Sequence, residues 1–142
     1  MIKKEKIMKR LILALCLVLA MSFTAVAQTW HTANQSTIFW NAVEVPGGDV
    51  EYVVYVSNAI TDPNKENPVI VTQTADVMHT VTLNVEGKYF FGIKALRLVG
   101  GEIVSESANI SWSDNPAVCV DGIDFGVRYF EVPSDVNGIG IQ

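Results

Sequence analysis

Six runs rich in β-branched and aromatic residues, each closed by turn-forming residues, constrain this chain more than any other feature. They are STIFWNAV, VEYVVYVSN, PVIVTQT, MHTVTLNV, GKYFFGIKALRLV and EIVSESANISWS, parted by such stretches as VPGGD, TDPNKENP and VGGE. Branched and aromatic side chains suit a pleated, half-buried surface, and Gly, Pro, Asn and Asp supply the turns between. No long stretch after the first 27 residues carries the apolar period of a helix. Several short strands at this spacing predict an all-β chain, folded as a sandwich or barrel.

The first 27 residues belong to a different class. MIKKEKIMKR is basic, LILALCLVLAM is apolar but short for a membrane span, and AVA precedes Gln28. This is the pattern of a secretory signal peptide cleaved after Ala27, which predicts a secreted protein, periplasmic or extracellular, with no transmembrane segment after cleavage. A lipoprotein site at LALC is disfavoured, because Leu15 rather than a small residue precedes Cys16. Five of the ten basic residues and only one of the fifteen acidic residues, Glu5, precede the cleavage site, so five face fourteen afterwards, a net charge of −9. Such an acidic domain is a poor partner for nucleic acid or an anionic membrane. Cys119 is the one cysteine beyond the leader, so it is a buried thiol, a link to another chain, or a reactive group.

Alternation along the strands sorts side chains between two faces. Ile38 with Trp40, Tyr52 with Val54 and Val56, Tyr89 with Phe91 and Ile93, and Ala108 with Ile110 and Trp112 form the expected core. The opposite parity is also apolar, with Val53 and Tyr55 on one strand and Phe90 on another. A contiguous outer patch of this kind marks a contact surface, so Val53, Tyr55 and Phe90 are the candidate binding residues.

The spacing of these residues resembles the fibronectin type III family. The resemblance rests on Trp40 in the second strand, Tyr52 and Val54 in the third, Leu83 six residues before Tyr89, the Tyr-x-Phe-x-Ile-x-Ala run from Tyr89 to Ala95, a Gly-Gly turn and SESA. It covers Ser36 to Ser113. It implies an immunoglobulin-like β-sandwich in which Trp40 fills the space between two sheets and the Tyr89 hydroxyl ties back to nearby backbone. It also makes the strands of Val53 and Phe90 neighbours. The segment before Trp40 is short for a full first strand, which would leave a sheet edge thinly covered. The expected organisation is a signal peptide (1–27), a fibronectin type III-like sandwich (28–115) and a C-terminal β extension (116–142).

The extension is apolar beyond the needs of that family. Ile123, Phe125, Val127 and Tyr129 alternate with Asp124, Gly126, Arg128 and Phe130, as in a half-buried strand. It is expected to cover the Val53, Tyr55 and Phe90 patch, to pair with the thin edge, or to reach another molecule, which makes Cys119, Phe125 and Tyr129 candidate intermolecular contacts.

Catalytic chemistry is scarce. His31 and His79 lack ligand partners at metal spacing, and no nucleophile elbow, phosphate loop or zinc-protease motif occurs. DPNKEN, Asp62 to Asn67, imitates the start of a calcium loop but lacks its glycine and closing glutamate, and reads as a solvated turn. Glu102 and Glu106 would share a strand face, and Asn34 and Asn109 fit the glycosylation pattern. The expected function is a non-catalytic module, without cofactor or metal, that recognises a protein or polysaccharide at the cell envelope or outside it. The alternative is a structural subunit that forms a homo-oligomer by C-terminal strand addition.

Overall fold

The computed structural model describes residues 28–133. The proposed leader and its cleavage site lie outside the described residues, as do residues 134–142. The described residues are all-β: they form nine strands in two sheets, with one short 3-10 turn at Val120–Gly122. The strands are β1 (Thr29–Thr32), β2 (Gln35–Phe39), β3 (Asp49–Asn58), β4 (Val69–Thr74), β5 (Met78–Thr82), β6 (Gly87–Val99), β7 (Glu102–Glu106), β8 (Ser111–Trp112) and β9 (Phe125–Tyr129).

The two longest strands, β3 and β6, pair antiparallel from Asp49 opposite Leu98 to Asn58 opposite Tyr89. β4 lines the other edge of β3. The far edge of β6 is shared in turn by β7, β8 and β9, and β1 adds to β9 in parallel. Facing this seven-stranded sheet is an antiparallel pair, β2 and β5.

Between the sheets lie Ile38 and Val81 from the small sheet and Val54, Tyr89 and Phe91 from the large one, joined by Leu83 and Val127. Val54 is 0% and Phe91 2% exposed, so the inward parity expected for β3 and β6 holds. The Tyr89 hydroxyl donates to the Val85 carbonyl at 2.8 Å. Its removal by Tyr89→Phe leaves a carbonyl short of a donor and is expected to lower unfolding free energy by about 1–3 kcal/mol, read by denaturant titration. Unchanged stability would reduce Tyr89 to a packing residue.

Two residues expected in the core lie on the opposite side. Trp112 pairs with Gly92 and Ser111 with Ile93, so Ser111 faces inward with Ile93 and Trp112 faces outward with Gly92. Ile110 goes with it: a Cβ built on Gly92 would meet Ile110 Cγ2 at 2.5 Å and Trp112 ring carbons at 2.9 Å. Ala108, the third of that group, is exposed. The cause is a break between β7 and β8. Ser107 opens the break and Ser113 follows β8, their hydroxyls accepting from the Ala95 and Phe91 amides at 3.1 and 3.0 Å. Side-chain oxygens thus stand in where the regular ladder lapses. An extra residue in β7 likewise sets Glu102 opposite Val99 and Glu106 opposite Leu96, which parts the two carboxylates between faces.

Candidate functional site: an apolar groove beside a free strand edge

The outer-face residues singled out above are covered by their own chain. Val53, 6% exposed, packs with Leu96, Leu98 and the half-buried Tyr55. Phe90, 8% exposed, belongs to a separate aromatic group. The Trp30 ring lies 5.4 Å from it. That ring reaches Phe90 across β9, because residue 126 is glycine; a Cβ there would fall 2.6 Å from the indole. Lys65 closes the other side, its ammonium 5.2 Å from the Phe90 centroid, 5.6 Å from that of Trp112 and 2.6 Å from an Asp114 carboxylate oxygen. Cations over aromatic faces are held by the ring quadrupole.

The loop carrying Lys65 explains DPNKEN. The Asp62 carboxylate accepts the Glu66 and Asn67 amides at 2.9 and 3.0 Å, so its oxygens frame the loop itself. Lys65 takes a left-handed backbone, φ 56°. Among the described residues no group of three or more potential metal ligands forms.

The C-terminal segment joins the sheet edge instead of lying over the outer face. In β9, Val127 pairs with Tyr89 and turns inward, 2% exposed, with Phe125 and Tyr129 packed against the same core. Phe125 and Tyr129, candidates for contact with another molecule, are therefore engaged within their own chain. The strand leaves the sheet beside the β5–β6 turn, where the Glu131 amide donates to the Glu86 carboxylate.

Among the described residues, the flank of the sandwich between β2 and the β7–β9 side is open. Here lies a groove of about 860 Å³. Phe91, Ile93 and Ala95 line it from β6, and Ser111, Cys119 and Ile123 from the far side. Its near wall is β2: Ser36, Thr37, Ile38 and Phe39 in succession, then Trp40. Consecutive residues of both parities border it, so β2 presents its edge rather than one face. The hydrogen bonds agree. Asn34 and Trp40 bond to the β5 side, through Leu83 N–H to Asn34 O at 2.6 Å and Trp40 N–H to Val77 O at 3.0 Å. By antiparallel alternation, the amides and carbonyls of Gln35, Thr37 and Phe39 face the other way.

Trp40 sits at this margin, half-buried, its ring 5.5 Å from Tyr52. The indole N–H is buried and has no hydrogen-bond partner among the described residues. Sequence reasoning missed the groove as a site, although its signal was legible: the stretch before Trp40 is too short to edge β2, and β1 pairs with β9 instead.

Cys119 is a free, half-buried thiol in the groove wall, its S–H donating to the Ser113 carbonyl at 3.3 Å. Burial, then the charges of Asp124 and Asp114, push its pKa up. The folded thiol therefore stays protonated further into the alkaline range than the same thiol in an unfolded chain. Iodoacetamide labelling of native protein should rise with pH only beyond the ordinary cysteine range near ~8.5, with denatured protein labelling faster below that. A native midpoint at or below the denatured one would mean that the three causes do not act.

Compared with protein-family models, with curated proteins and with solved structures, this chain matches none.

Proposed function

We propose that this chain is an exported, non-catalytic binding module of the fibronectin type III kind, and that it takes an extended apolar segment of a protein partner into the groove beside β2. The observation that carries this is the outer edge of β2, which pairs with no strand among the described residues and runs along an apolar hollow: such backbone groups give affinity to an added strand, and the hollow takes its alternate side chains. The buried N–H of Trp40 offers such a segment a further donor. The Tyr89 to Val85 bond supports the family assignment, and the basic, then apolar, then small-residue N-terminus supports export. A polysaccharide is less well served. Phe90 and Trp112 on the outer face already carry the Lys65 ammonium, and Trp30 that of Lys88 at 5.2 Å, so their rings are engaged rather than open to sugars.

The test is selection of displayed random dodecapeptides on the exported chain, followed by binding to a Thr37→Pro variant. The Thr37 amide faces away from β5, so proline removes a docking donor and keeps the backbone bonds to β5, losing only the 2.7 Å contact between the Thr37 and Thr80 hydroxyls. Peptides with alternating apolar residues should be selected, and should lose most of their affinity for the variant. Equal binding to both proteins, or retention of polysaccharides in place of peptides, would overturn the reading.

A further inference from the structure

The two walls of the groove differ in charge. The near wall, within residues 31–43, holds no lysine, arginine, aspartate or glutamate, and His31 is its only ionisable side chain. The far wall, the 113–125 stretch that brings Ser113, Cys119, Ile123 and Phe125 to the hollow, holds Asp114, Asp121 and Asp124 and no lysine or arginine. Asp114 is paired with Lys65; Asp121, exposed, and Asp124, half-buried, have no ion pair among the described residues. The described cations are all engaged elsewhere. Lys94 holds the Glu106 carboxylate at 2.7 Å, Lys88 lies over Trp30, Arg97 donates to the Pro46 and Gly47 carbonyls, and Arg128 donates to the Thr32 hydroxyl. None is left to neutralise the far wall. Its negative field is felt inside the hollow, where, after burial, the charge of Asp124 is the next cause of the raised Cys119 pKa.

We infer that the segment this groove takes is cationic: a strand of a protein partner with alternate apolar side chains in the hollow and lysine or arginine toward the 113–125 wall, where Asp121 and Asp124 attract it. This rests on the reading of the groove as a strand receptor and names the chemistry of its partner. Apolar walls beside carboxylates focus their field, so an attraction that is weak on open surface gains at the mouth of the hollow. Such a field also steers the segment to the groove before the backbone bonds to β2 form. A second copy of this chain is poorly suited to the same place, because the exported sequence sets fourteen acidic residues against five basic ones.

The test reads the charge of the dodecapeptides selected as above and measures one of them, beside a copy with its basic residues replaced by glutamine, on three proteins checked for native circular dichroism. These are the exported chain, its Asp121→Asn/Asp124→Asn variant, and a Glu51→Gln/Asp76→Asn variant that removes the same charge from β3 and the β4–β5 turn. Asparagine suits the left-handed backbone at residue 121, φ 55°. The selected sequences should carry lysine and arginine in excess of aspartate and glutamate. At low salt the glutamine copy should bind the exported chain about fivefold more weakly, and the basic peptide should bind the first variant about fivefold more weakly and the second unchanged. Both differences should vanish in ~1 M salt, where the screening length falls to ~3 Å. Selected peptides without a basic excess, or equal binding to the exported chain and the first variant, overturn the inference; the groove stays a strand receptor if Thr37→Pro still weakens them. Equal losses in both charge variants overturn it as attraction to net charge alone. If no peptide is selected, or Thr37→Pro leaves binding unchanged, both readings fail. A dimer of the exported chain on size exclusion that the peptide dissolves also overturns it, by giving the groove to a second copy.

Discussion

Phe91→Ala is expected to destabilise the protein by about 3–5 kcal/mol, the range for truncating a packed core aromatic. Phe91 is 2% exposed and lies in the main core cluster with Val54, Tyr89 and Val127. It is opposite Val56 in the central strand pair, and its amide is bonded to the Ser113 hydroxyl. The surrounding strands are hydrogen-bonded on both edges of β6, so they cannot close in to fill the space. For a domain of ordinary stability, about 5–15 kcal/mol, the loss consumes a large share of the total. A thermal or denaturant midpoint close to that of the unaltered protein would mean that β6 has the opposite parity.

Gly92→Val should cost toward the upper end of the ~1–3 kcal/mol typical of overpacking, despite the strand preference of valine. Gly92 is the outward residue of β6 beneath Ile110 and Trp112, and a Cβ there would meet the first at 2.5 Å and the second at 2.9 Å. Either the β6 backbone shifts, disturbing its pairing with β3, or Trp112 lifts away from its place near the Lys65 ammonium. Denaturant titration gives the magnitude, and tryptophan emission moving to the red identifies the lifted ring. Stabilisation by valine would show that the position is open and that the outer aromatic group is assembled otherwise.

The outer face shows where local reading stops. Phe90 was legible as an apolar side chain on the wrong parity for the core, and that parity is right. Its covers were not legible. Trp30 lies sixty residues earlier in the chain, and reaches Phe90 only because β1 pairs with β9 in the register that sets Trp30 opposite Gly126. Lys65 arrives from a loop whose shape depends on the Asp62 carboxylate. The same holds for the groove: a short first strand predicts a thin edge, but its depth follows from the break between β7 and β8 and the path of the chain through Cys119.

The sequence by itself determined the all-β class, the inward parity of β3 and β6 and the strand character of Phe125 to Tyr129, while the tie of the Tyr89 hydroxyl was expected only from the family resemblance. The first three are properties of residues two to six positions apart, set by pleat and turn chemistry that act within one strand. Tertiary structure alone decided that β9 pairs with β6 and β1 in the sheet, that Trp112 faces away from the core, and that among the described residues β2 has one edge unpaired beside an apolar hollow. Each of these depends on which strand a segment pairs with and in what register, and a slip of one residue in that register exchanges the two faces of a strand without changing its pattern.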